Sequence, residues 1–460
     1  MLRALVLSML CSTCFTFQLA AQSTWTNDAD GAWTDPANWT NGIPGGTAAV
    51  AHFDFAPGYT DPRIVVNLPT NIILGELHFS DQPDGTSNFT LQPIAGNSTQ
   101  VLTLDNGTNA PLIQYTGAAR NSEDIRFGAG TRNLELAGTN GVNLLTSGRI
   151  ILEGSNTYTG VTQLNALLPL DNNAGPHLRL RNNASLGASG PGNETIVHAR
   201  GKESAAGFDL EPVIRTDRSL TLAEDLIFEY TPTPISRTWG NTFLVETSST
   251  TARDVRLDDA HITLRRIDGG TNVVTGDVRW SFRVGTSSTS TSNVPSSLTL
   301  GDITLEDLSN NTTAGNLKNN IEFNPGLPED QILLTGRIEE GSVFGSGVDL
   351  GLILTGDGIL RLQGTNHFEG DLRLWRGTAL LEHTNALEHV YSVRLGETSS
   401  NGSAPTPDAP TLLVNTGGAH ALRGGLAAIQ LVDVVGNTND VDAVDGGVGQ
   451  GFVGGDSLPY

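Results

Sequence analysis

Apolar and polar residues alternate in short runs along most of the chain, the period-2 signature of a strand that buries one face. From Ile64 to Leu152 such runs recur as RIVVNL, ILGELHF, FTLQP, VLTLDNG, IRFGAG, LELAG and RIILEG, bounded by Gly, Asn, Asp or Pro. Those are the residues that turn a chain sharply, so the spacing predicts many short strands joined by tight corners. Apolar residues at helical spacing are absent beyond the first 21 residues, so helix is expected to be minor.

The most regular stretch is Ile359 to Glu388, ILRLQGTNHFEGDLRLWRGTALLEHTNALE. Leu360 and Leu362 alternate with Arg361 and Gln363, a Gly364-Thr365-Asn366 corner follows, and Phe368 and Gly370 lead into Leu372 and Leu374. The segment from Arg149 to Ala166 repeats it, with Ile150, Leu152, Gly154, Asn156, Tyr158, Gly160 and Leu164 at the same spacing. A partial copy lies at Leu134, Leu136, Gly138 and Asn140. A strand-and-corner unit this short cannot bury its own apolar face. Its recurrence therefore predicts stacked units sharing a core that is continuous along one axis.

The spacing Leu-x-Leu-x-Gly-x-Asn-x-aromatic-x-Gly resembles the autotransporter-associated β-strand repeat of exported bacterial passenger proteins. The resemblance extends to Ala184, Leu186 and Gly187 after the first copy, and to Gly31-x-Trp33, Asp35-Pro36-x-Asn38-Trp39 and Gly42-x-Pro44 near the start. It implies an all-β chain wound as a right-handed parallel β-helix, a β-solenoid, with an aromatic-rich N-terminal cap.

That cap holds three of the six tryptophans, Trp25, Trp33 and Trp39. An exposed solenoid end needs an atypical terminal unit to cover it, which is the reading favoured here. A solvent-facing platform for sugar rings is the alternative. The segments expected are a leader at 1–21, the cap at 22–60, β-helix at 61–195 around the repeat 149–166, and degenerate coils or an inserted β region at 196–315. A second stretch of β-helix at 316–435 carries the repeat 359–388, and an acidic, Gly-rich tail, expected to be loosely ordered, fills 436–460. The tracts Gly285 to Ser297 and Glu397 to Pro410 read as projecting loops.

Charge narrows the function classes. A formal net charge of −23, with Lys202 and Lys318 as the lysines, disfavours nucleic acid and anionic lipid as partners. The first residues carry Arg3, an apolar core from Ala4 to about Phe17 and small residues at Ala20 and Ala21, the pattern of a secretory leader cut after Ala21. Cys11 and Cys14 both lie within it, so the mature chain is expected to lack disulfides. Nothing after Gly436 alternates like a membrane barrel, and the expectation is a chain that is released, held by a partner, or read from a shortened open reading frame.

Catalytic candidates are sparse. Asp258 and Asp259, with Arg265 and Arg266 nearby, form the best carboxylate pair, but neighbours on a strand face opposite sides and need a turn to act together. Asp440, Asp442, Asp445 and Gly446 depart from calcium-loop spacing, and the histidines, including His52, His78, His383 and His389, lack zinc-ligand spacing. The sequon asparagines Asn38, Asn88 and Asn97 are given no role. No catalytic, metal or cofactor residue is therefore assigned. The reading is a non-enzymatic surface or extracellular structural or adhesion protein, with extracellular polysaccharide or surface proteins as partners and no membrane span in the mature chain. The alternative is a β-helical carbohydrate-active enzyme or polysaccharide-binding module.

Overall fold

The computed structural model describes residues 22–54, 63–80, 88–97, 99–116, 124–167, 177–201, 211–231, 242–267, 278–285, 294–308, 317–341, 348–368, 370–387, 390–395, 410–414 and 429–431. The leader with its two cysteines, most of the two loop tracts, His389, and the tail with Asp440, Asp442, Asp445 and Gly446 lie outside these residues.

The alternating runs become strands, and every strand pair in the sheets is parallel. Sheet I has 14 strands, from Gly31–Ala32 to Ile429–Leu431, and sheet II has 11, from Gln22–Trp25 to Ile338–Glu340. A third face starts as a 3-stranded sheet ending at Asn133–Ala137 and resumes as a 7-stranded sheet beginning at Leu220–Thr221. Successive strands of one sheet come from successive coils, the topology of a parallel β-helix. Parallel strands need crossover connections, and here each crossover is the rest of the coil. The strands Thr195–Arg200, Leu226–Thr231, Ile262–Arg266 and Ile303–Asp307, which run across 196–315, pair into sheet II, so the winding runs through that region.

The core is the inside of the coils. In Arg63–Leu68 the alternate residues Ile64, Val66 and Leu68 are buried, and the same rhythm recurs coil after coil to form one contiguous apolar cluster. At the N-terminal end the register stacks Trp25 on Phe53, Phe53 on Phe79 and Phe79 on Tyr115. The Phe53 and Phe79 rings lie 4.9 Å apart at 12°. Trp33 and Trp39 close the end of this ladder, with ring centroids 4.9 Å from each other and 5.9 and 5.5 Å from Phe53. Asp35 accepts from Ala37 N–H to start the short 3-10 turn Pro36–Asn38 that delivers Trp39. All three tryptophans are buried, and their indole N–H groups donate to the carbonyls of Asn27, Pro44 and Trp33. Trp25, Trp33 and Trp39 thus form a cap, and the sugar-platform alternative has no exposed ring there.

The two signature segments have the same sequence spacing but occupy different faces. Arg149–Leu152 lies in sheet I and leads through Gly154–Gly160 to Thr162–Ala166 in sheet II. Ile359–Leu362 lies on the third face and leads through Gly364–Phe368 to Gly370–Leu374 in sheet I. Each corner therefore replaces a strand: the first interrupts the third face, and the second continues the column of sheet II past Ile338–Glu340.

What the copies share is an asparagine latch. Asn156 Oδ1 accepts from Leu136 N–H at 2.9 Å in the coil before, and its Nδ2 donates to the Ser185 carbonyl in the coil after. Asn366 repeats this with Ile338 N–H at 3.1 Å and the Ala386 carbonyl at 2.9 Å. Both side chains are buried. Next to each latch the following coil makes a small turn, in which Asn182 Oδ1 accepts from Ala184 N–H in one copy and His383 Nδ1 accepts from Asn385 N–H in the other. The glycine two residues before each latch is required by close approach. A Cβ on Gly364 would lie 1.7 Å from the Gly336 carbonyl oxygen, and one on Gly154 would lie 2.0 Å from that of Leu134.

The corner asparagines act through their side-chain amides rather than through left-handed backbone angles. Among the described residues only Ala48 is a non-glycine with positive φ, and Asn156 and Asn366 work by bonding backbone groups of both neighbouring coils. Asn140, in the partial copy, is exposed and donates to the Gly107 carbonyl at 2.7 Å.

Candidate functional site

The residues singled out from sequence do not converge. Asp258 and Asp259 sit in the turn between the strands Asp254–Leu257 and Ile262–Arg266. Asp258 is held by the Arg256 guanidinium, which keeps its carboxyl below the usual carboxylate range, and Asp259 is exposed. Arg265 points outward between Glu229 at 2.7 Å and Glu306 at 2.6 Å. Arg266, the next residue, points the opposite way and is buried beside Asp307 at 3.9 Å. Strand alternation thus separates the two arginines from each other and from the carboxylate pair.

The histidines are likewise dispersed. His52 and His78 stack at 4.8 Å on the outward side of sheet II, and Glu76 holds His78 Nε2 at 2.8 Å. Burial first, then His78, lowers the pKa of His52. His383 serves in the turn beside the second latch. Among the described residues, no group of three or more His, Cys, Asp or Glu side chains is placed to hold a metal ion.

The densest charged arrangement lies elsewhere, on the outward side of sheet I over the strands Asp124–Phe127, Arg149–Leu152, His177–Leu180 and Val213–Thr216. Parallel register sets Asp124, Arg149, His177 and Val213 in one column and Arg126, Ile151, Arg179 and Arg215 in the next. Two like charges side by side on neighbouring strands repel. Glu246 lies beside both Arg179 and Arg215, with both oxygens 2.7 Å from Arg179 Nη2 and one 3.4 Å from Arg215 Nη1. Arg181 is clamped by Asp217, at 2.9 and 2.5 Å, and by Glu153 at 2.6 Å. Arg149 pairs with Asp124, and Arg126 lies 3.4 Å from Asp124 and 3.5 Å from Glu153.

His177 sits inside this cluster and is 5% exposed. Its pKa falls well below the usual imidazole range, through burial first and then through Arg215, Arg149 and Arg179, so the ring is neutral. Burial pulls the Arg215 guanidinium down to about 10 despite Glu246 beside it, and Arg179 and Arg149 add to the fall. Sequence reading missed this site because its members are 25 to 36 residues apart along neighbouring strands. The available signal was an Arg at an outward position in each of the runs DIRF, RIIL, HLRL and VIRT.

No protein-family model, no curated protein and no solved structure matches this chain.

Proposed function

We propose that the chain is an exported, non-enzymatic β-solenoid that acts as a cell-surface or extracellular structural or adhesion protein. The observation that carries this reading is the continuous parallel winding behind a buried aromatic cap, an architecture that presents long outward faces on a rigid core. The leader pattern of residues 1–21 and the net charge of −23 favour an extracellular, soluble surface. Among the described residues, no helix is long and apolar enough to cross a membrane.

The carbohydrate-active alternative rests on Asp258 and Asp259. A glycosidic general acid needs a carboxyl raised toward the working pH, and Asp258 is shifted the other way by Arg256. That difference favours the non-enzymatic reading.

The test is fractionation of the native host, with antibody detection in medium, cell surface and cytoplasm, and N-terminal sequencing of the product. The expected product begins at Gln22 and is found in the medium or on the surface, where protease added to intact cells removes it. A cytoplasmic product that retains residues 1–21 overturns the proposal.

A further inference from the structure

We propose that the arginine cluster on the outward side of sheet I, around His177, is a binding site for an oxyanion group, a carboxylate, sulfate or phosphate carried by a ligand.

The first argument is charge balance. Among the described residues, Arg126, Arg149, Arg179, Arg181 and Arg215 share the carboxylates of Asp124, Glu153, Asp217 and Glu246, which leaves five cations against four anions, and the exposed Arg218 also reaches Asp217. A local surplus of cations is unexpected in a chain whose formal net charge is −23. Arg215 carries that surplus, because the one carboxylate beside it among the described residues, Glu246, is already engaged by Arg179.

The second argument is independent of charge. Among the described residues, Arg215 Nε, Arg179 Nε and His177 Nε2 are buried and have no hydrogen-bond partner. Buried polar atoms are normally paired, so three of them in one cluster point to an acceptor from outside the chain. The register fixes their arrangement, since Arg179 and Arg215 are direct partners on adjacent strands and His177 precedes Arg179 by two residues on the same outward side. A carboxylate, sulfate or phosphate offers several lone pairs and matches guanidinium donors in charge and geometry. It would also stabilise a proton on His177, which the arginines alone disfavour. The flanking outward residues Ile151, Val213 and Leu244 are buried, so the donors lie where water screens them little.

The site stands whether or not the chain is exported. It is tested on the full chain with histidine-selective ring labelling and NMR, the His177 signals being assigned by their loss in His177→Gln. Three probes are titrated at constant ionic strength against chloride: a short oligouronate, a sulfated oligosaccharide and inorganic phosphate. At least one should move the His177 signals saturably and raise the ring pKa by one unit or more. The probe that binds most tightly identifies the class of oxyanion. Arg215→Gln and Arg179→Gln should each weaken binding at least tenfold, while the His52 and His78 ring signals stay in place and show the chain folded. Arg215→Lys, which keeps the charge but loses the fork, should bind with intermediate affinity. The proposal fails if no probe shifts the His177 signals, if chloride shifts them equally, or if the folded Arg215→Gln variant binds as the parent does.

Discussion

Asn366 accepts the amide proton of Ile338 at 3.1 Å, 28 residues earlier, and so fastens the second signature corner to the last strand of sheet II. Its counterpart Asn156 fastens the first corner to Leu136 at 2.9 Å on a different face. One side chain of fixed length thereby links three coils, since its amide nitrogen reaches the coil beyond. Replacing either residue by Ala leaves a buried N–H and a buried carbonyl without partners, at a cost of about 1–3 kcal/mol for each orphaned group. Asn→Asp removes the donor and buries a charge, so it should be at least as harmful. Chemical denaturation of the four variants checks this. Parental midpoints in Asn156→Ala and Asn366→Ala would refute the latch.

The glycines of the corner make a sharper prediction. Gly364→Ala places a carbon 1.7 Å from the Gly336 carbonyl oxygen, a contact that only backbone movement can relieve. The expected loss is about 3 kcal/mol or more. Gly45→Ala meets nothing within 4 Å and should change stability by less than about 0.5 kcal/mol. Thermal melts of the two variants side by side give the comparison.

Trp33 is enclosed by Trp39 and Phe53 and donates its indole proton to the Pro44 carbonyl. Trp33→Ala should cost about 3–5 kcal/mol, the range for truncating a large buried aromatic. Hydrogen exchange should rise first over residues 22–54, because neighbouring coils depend on one another in sequence along the axis. A variant that keeps its stability but loses binding to a polysaccharide would instead mark Trp33 as part of a sugar platform.

His177 makes folding sensitive to acid. Its folded pKa lies below the unfolded value of about 6.5, so as pH falls through 6.5 the unfolded chain takes up a proton that the native ring does not. Stability should therefore decline from about pH 6.5 downward, above the range in which carboxylates titrate. His52, lowered by burial and by His78, contributes in the same direction. His177→Gln should flatten the slope between pH 6.5 and 5 in a series of denaturation curves. An unchanged slope would mean that the native ring takes up its proton normally.

The winding was legible in sequence because inward positions repeat locally: Ile64, Val66 and Leu68 in one run and Leu360 and Leu362 in another announce a strand without reference to any neighbour. The cap was legible for the same reason, since Trp33, Asp35, Pro36 and Trp39 fall within seven residues. The face that each strand occupies was not. Arg149–Leu152 and Ile359–Leu362 carry matching patterns yet lie in sheet I and on the third face, because face depends on the corners accumulated since the previous coil. The arginine cluster was hidden by that same uncertainty. Arg179 and Arg215 are direct neighbours only once coil lengths are known, whereas Asp258 and Asp259, adjacent in sequence, drew attention without converging on a site.

The central claim is that consecutive coils stack in parallel register along one axis, and engineered disulfides test it most directly. Ser80 donates to Asp54 at 2.7 Å across two coils near the cap, and Ser297 donates to Asp254 at 2.7 Å across two coils of the third face. Disulfides need Cα atoms within about 7 Å and Cβ atoms facing each other, which in-register outward neighbours provide. The pairs Asp54→Cys with Ser80→Cys and Asp254→Cys with Ser297→Cys should both oxidise readily, as read by peptide mass spectrometry without reduction. The offset controls, Asp54→Cys with Phe79→Cys and Asp254→Cys with Leu298→Cys, place the second thiol in the core and should stay reduced. Cross-linking of the offset pairs with none of the in-register pairs would contradict the parallel winding on which the scaffold proposal depends.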